Sequence, residues 1–98
     1  MYGLIGKIAA AAGQRDELIE ILVDGVSGMP GCHSYVVAKD PEDDQGIWIT
    51  EVWADQESHS ASLSLPSVRE AIAKGRPLIA SFESRVITEP VGGHGLAP

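Results

Sequence analysis

Ile47-Trp48-Ile49-Thr50-Glu51-Val52-Trp53-Ala54-Asp55 is the stretch that decides the architecture. Apart from Glu51, every residue from Ile47 to Trp53 is β-branched or aromatic, which suits a pleated strand over Ile47 to Ala54. Alternation sends Ile47, Ile49, Glu51 and Trp53 to one face and Trp48, Thr50 and Val52 to the other. Asp55 then supplies a helix N-cap, with Glu57 and Ser58 in the first turn. A strand with one mixed apolar face, leading at once into a capped helix, points to a sheet covered by helices.

Working outward, Asp40 to Gly46 is a polar loop of hairpin length, and Cys32 to Lys39 is the strand before it, carrying Tyr35, Val36 and Val37. Earlier, Leu18, Ile21, Leu22 and Val26 recur at helical spacing among Arg15, Asp16, Glu17, Glu20 and Asp24. Gly28 and Pro30-Gly31 end that helix. Tyr2 to Ala9 is a short apolar strand interrupted by Gly6 and Lys7. Downstream, Pro66 fits the first turn of a restarted helix through Val68, Ala71 and Ile72, which Gly75 and Pro77 stop. A last strand, Ser81 to Glu89, alternates Phe82, Ser84 and Val86 against Glu83, Arg85 and Ile87. Residues 90–98 are rich in glycine and proline and are expected to form a loose tail behind a single domain, 1–89.

The order βαββαβ predicts an α+β, ferredoxin-like fold: an antiparallel four-stranded sheet with its helices on one face. The other face needs cover. Trp48, Val52 and Val37 are its expected occupants, with His33 and Tyr35 placed at the same surface. An apolar face of that kind marks an interface, so a homodimer paired through its sheets is expected.

At 98 residues, the chain has room for one modest core. A formal charge of −7 argues against nucleic acid as a partner, because phosphates would be repelled. The single cysteine, Cys32, excludes an internal disulfide and offers no metal-ligand spacing. The opening residues lack the pattern of a signal peptide, and no apolar run approaches the ~20 residues needed to cross a bilayer, so no membrane partner and a cytoplasmic setting are expected. Asp40, Glu42, Asp44 and Glu51 follow part of a calcium-loop pattern, but Gln45 replaces the required glycine and strands flank the loop.

Several of these segments together resemble the family of antibiotic-biosynthesis monooxygenases and bacterial quinol monooxygenases. They are Gly13-Gln14-Arg15-Asp16-Glu17-Leu18, Met29-Pro30-Gly31-Cys32, Glu51-Val52-Trp53-Ala54-Asp55-Gln56-Glu57-Ser58, Pro66-Ser67-Val68 and Pro77-Leu78-Ile79. The resemblance runs from about Gly3 to Glu89. It implies a dimeric α+β barrel, with a pocket in each subunit between sheet and helices. It also implies oxidation of a hydroxylated aromatic by molecular oxygen with no cofactor and no metal, the deprotonated substrate acting as reductant. A haem-degrading relative would need a histidine on the second helix, and Leu63 to Ile79 contains none.

Trp53 matches the pocket tryptophan of such enzymes, and its indole can stack on a ring and donate one hydrogen bond. Arg69 resembles a helical arginine that would hold a phenolate. His59 lies where the family can place an aromatic hydroxyl, and an imidazole there can accept the substrate's first proton. Glu51 shares the Trp53 face, where burial would raise its pKa and suit it to proton transfer. Each also has a plain structural reading: core tryptophan, solvated helix arginine, surface histidine, tied carboxylate. Two further substrate-contacting positions depart from the family pattern. Ile49 stands where some members carry asparagine, and Ser62 where many quinol-type members carry histidine. Both point to a less polar pocket, and they keep open an alternative: a non-catalytic dimer that binds a small molecule.

Overall fold

In the computed structural model, which describes residues 1–96, the two central strands pair so that Trp53 lies opposite Tyr2 and Ile47 opposite Ile8. The elements in order are β1 (Tyr2–Ala10), α1 (Arg15–Asp24), β2 (Cys32–Lys39), β3 (Gly46–Trp53), α2 (Gln56–Ser62), α3 (Pro66–Gly75), a 3-10 turn (Arg76–Leu78) and β4 (Ile79–Thr88). The strands run β2-β3-β1-β4, every pair antiparallel. This is the ferredoxin-like α+β arrangement, with the second helical segment divided at Leu63–Leu65 where Pro66 restarts it. The last two positions of the expected tail, 97–98, lie outside the described residues.

The register arranges side chains in rows across the sheet. On the helix side run Tyr35–Glu51–Leu4–Ile87, Val37–Ile49–Gly6–Arg85 and Lys39–Ile47–Ile8–Phe82. On the open side run Val36–Thr50–Ile5–Val86 and Ala38–Trp48–Lys7–Ser84. Two expectations are corrected by these rows. Val37 and Tyr35 belong to the helix side, and Val37 packs against the core; Val36 takes the open side instead. Both parities of β2 carry small or apolar residues, so only the pairing with Ile49 and Glu51 decides. On β4, a register shift opposite Lys7/Ile8 puts Phe82 on the same face as Arg85 and Ile87, where simple alternation separates them.

The core gathers Ile8, Ala10, Leu18 and Ile47, with Ile19, Leu22, Val37, Ile49, Leu78 and Ile79 around it. Leu18 and Ile47 have no exposed surface, each burial contributing roughly 1.5–3 kcal/mol. α1 ends at Asp24, earlier than the spacing of Val26 suggested; Gly25 still donates its N–H to the Ile21 carbonyl, and the left-handed residue that follows is Gly28. A Cβ at Gly25 would stand 2.5 Å from the Ala71 Cβ, so glycine is what lets α1 close on α3.

The acidic hairpin loop is fastened to the sheet. Lys7 Nζ lies 3.2 Å from Asp40 Oδ2 and 3.1 Å from Asp43 Oδ2, while Trp48 Nε1 donates to Asp40 Oδ2 at 3.0 Å. Arg15 Nη1 donates to the Asp43 carbonyl at 2.8 Å. The Glu42 backbone N–H, then the Trp48 indole, hold Asp40 below the usual carboxylate range; the Gln45 N–H and Lys7 do the same for Asp43. The carboxylates of Asp40 and Asp43 are thus engaged within the fold. Among the described residues, no His, Cys, Asp and Glu side chains form a group of three or more able to hold a metal ion.

Candidate functional site

Strand alternation and a helix cap assemble the site. β3 projects Glu51 and Trp53 toward the helices. Asp55 Oδ1 accepts the Ser58 N–H at 2.7 Å and so starts α2, which fixes the phase of the helix. His59 and Ser62, three apart on that short helix, both turn inward over the end of β3. The Ser62 hydroxyl donates to the His59 carbonyl at 2.6 Å, so it is engaged within its own helix.

Trp53 is 1% exposed, and its Nε1–H donates to Glu51 Oε1 at 3.0 Å. The His59 ring meets the indole nearly edge-on, 5.4 Å between centroids at 74°. On its other side, Tyr2 lies 5.7 Å away. His59 Nε2 is 3.9 Å from Glu51 Oε1, beyond direct hydrogen bonding. Burial raises the Glu51 carboxyl above its ordinary value, an effect opposed by the Trp53 hydrogen bond, His59 and Arg85. Tyr35, across the strand pair from Glu51, is pushed well above the usual phenol range by burial and by that carboxylate. The Cys32 thiol is raised for the same two reasons.

Tyr35, Glu51, Trp53 and His59 border a cavity of about 320 Å³ between the sheet and helices α1 and α3. Ile49, Glu51, Trp53, His59 and Ser62 all line it. Arg69 does not: the inward positions of α3 are Val68, Ala71, Ile72 and Gly75, and Arg69 is exposed. The cation on the wall is Arg76, from the turn that follows. Phe82, 79% exposed, also borders the cavity. Tyr35 and Phe82 escaped the sequence reading, because their inclusion follows from strand register and a bulge rather than from any local pattern. The walls are mainly aliphatic and aromatic, so a flat apolar ring fits them, with the partly buried Glu51 as the one carboxylate at its base.

A model of the family described as antibiotic biosynthesis monooxygenase matches residues 1–74. Among solved structures, the chain is similar to a protein of Chloroflexus aurantiacus J-10-fl, provisionally named an antibiotic biosynthesis monooxygenase. The two are 67% identical over 98% of each chain, with a TM-score of 0.96. A likewise provisionally named protein of Deinococcus radiodurans is 25% identical over 95% of each chain, at a TM-score of 0.78. One from Nitrosomonas europaea, 13% identical over 94% of this chain and 100% of its own at a TM-score of 0.84, shares the fold. None of the curated proteins compared matches the chain.

Proposed function

The chain belongs to the antibiotic biosynthesis monooxygenase family, and on that footing we propose that it oxidises a hydroxylated aromatic with molecular oxygen. The substrate class is a quinol or a polyketide-type phenol, bound in the cavity under the helices. The observation that carries the proposal is the Glu51–Trp53–His59 cluster at the base of an apolar pocket.

In this reading, Trp53 packs against the ring, and Ile49 and Ser62 shape the wall around it. The gap between Glu51 Oε1 and His59 Nε2 is 3.9 Å, which a substrate hydroxyl about 2.8 Å from each would bridge. Glu51, made more basic by burial, takes the hydroxyl proton, and His59 takes or returns it. The resulting anion gives one electron to oxygen. The radical pair combines to a hydroperoxide, which loses water to leave a quinone. The substrate supplies both electrons, so one oxygen atom enters the product and the other leaves as water. Arg69 is outside the cavity, and holding the anion falls to Arg76 at its wall. The aliphatic walls keep water from the intermediates.

The open sheet face is the proposed homodimer surface, since Val36 and Val86 are 54% and 53% exposed along the row that also holds Ile5. No described helix is long and apolar enough to cross a membrane, and a cytoplasmic setting goes with this proposal. Oxygen uptake with metal-free protein and simple hydroquinones or an anthrone tests the activity. Consumption above the buffer rate that is lost in Glu51→Gln supports it; no consumption with any of them removes it. The second reading, a non-catalytic binding dimer, is favoured by Ile49 and by the engaged hydroxyl of Ser62, which leave few polar groups to face a substrate. Saturable ligand binding with no oxygen uptake would establish that reading.

A further inference from the structure

The row Val37–Ile49–Gly6–Arg85 crosses the sheet on the helix side, and its third member has no side chain. The result is a notch in the central strand β1. The nearest group to a Cβ built at Gly6 is the Ser84 carbonyl at 3.5 Å, so the space above the notch is open. Ile8, Ile49, Glu51 and Phe82 border the main cavity and also a second hollow of about 360 Å³ over β1 and β4. That hollow adds Leu4, Gly6, Glu83, Ser84 and Arg85. The two spaces therefore adjoin, with Glu51 and three apolar side chains as their shared boundary.

The two spaces differ chemically. The first is apolar and covered by α1 and α3. The second lies toward the edge strand, where Phe82 and Arg85 are exposed, and its one cation is Arg85. Among the described residues, Arg85 forms no ion pair within 4 Å, whereas Lys7, Lys39 and Lys74 each have a carboxylate partner. Its guanidinium is available to a ligand. Glu51 and Glu83 border the same hollow and repel anions, so a doubly charged group is disfavoured more than a monoanion held by Arg85.

We propose that the ligand is an aromatic carrying a carboxylate, its ring in the cavity beside Trp53 and its carboxylate laid over Gly6 against Arg85. This rests on the reading of the main cavity as an aromatic site, and it makes Arg85 a specificity-determining residue. A planar fork matches a carboxylate with two parallel hydrogen bonds.

Two stable probes test the idea by calorimetry: 1-naphthol, which is neutral, and 1-hydroxy-2-naphthoate, which adds the carboxylate. Wild-type protein is expected to bind the acid about fivefold more tightly, the scale of a partly exposed charge-assisted contact. An apolar cavity alone disfavours an anion, so Arg85→Gln should reverse that order while leaving naphthol affinity unchanged. Gly6→Val, whose Cβ would make only ordinary contact with the Ser84 carbonyl, should also abolish the preference. Equal affinities in the wild type, equal weakening of both probes by Arg85→Gln, or a preference that survives Gly6→Val overturns the inference, while the aromatic site stands on naphthol binding. Failure of both probes to bind overturns the aromatic site and this inference together.

Discussion

The indole N–H of Trp53 donates to the carboxylate of Glu51, two residues earlier on the same strand and the same face, at 3.0 Å. That bond sets both partners. It occupies the one donor of the indole, leaving its ring for packing, and it favours the ionised form of a carboxyl whose pKa burial raises.

Replacing Trp53 with Phe keeps a ring and removes the donor. Glu51 loses the largest of the influences that lower its pKa and rises further. The limb of the pH–activity profile governed by Glu51 as base therefore moves to higher pH, with ligand affinity changed much less than turnover. An unmoved limb would detach Glu51 from the proton step.

Glu51→Gln separates chemistry from stability. Loss of a positioned base should lower oxygen uptake by about 100-fold or more. The folded-state pKa of Glu51 lies above its ordinary 4.5, so the folded protein favours the protonated form. The stability this provides is fully present below about pH 4.5 and is lost as pH rises through the raised value. Glutamine removes that loss. The variant's thermal midpoint should exceed the wild type's near neutral pH, and the gap should close as the buffer is acidified. A gap independent of pH would contradict the burial argument.

Gly25→Ala places a methyl against Ala71, where the helices touch. Overpacking of this kind costs about 1–3 kcal/mol. Chemical denaturation should show that loss, and adding Ala71→Gly should recover most of it, because the clash is between those two methyl groups. Failure of the second change to help would mean that α1 and α3 separate rather than collide.

Val36→Glu with Val86→Glu places charges on the open face, in the row shared by Thr50 and Ile5. If two copies pair through this face, light scattering at micromolar concentration should show a dimer for the parent chain and half that mass for the double variant. A parent chain that already scatters as a monomer refutes the pairing.

Much of the site was legible before any coordinates. Alternation along Ile47 to Trp53 puts Glu51, Trp53 and Ile49 on one face, whereas His59 and Ser62 enter only through the family resemblance, and the structure brings them to the same cavity. Arg69 resembles a pocket-facing arginine of the family, but Val68, Ala71, Ile72 and Gly75 take the inward positions of α3. Tyr35 and Arg85 were not legible as site residues. Their positions depend on strand pairing, Tyr35 of β2 with Glu51 and Arg85 of β4 with Gly6.

The amino-acid order by itself determined the elements, their succession and the two faces of β3, because helix period, strand alternation, caps and proline stops act over a few neighbouring residues. Only the tertiary structure decided which face of β2 and β4 meets the helices and that Gly6 opens the way to Arg85. Register is a relation between strands distant in sequence, and a one-residue slip turns every side chain over.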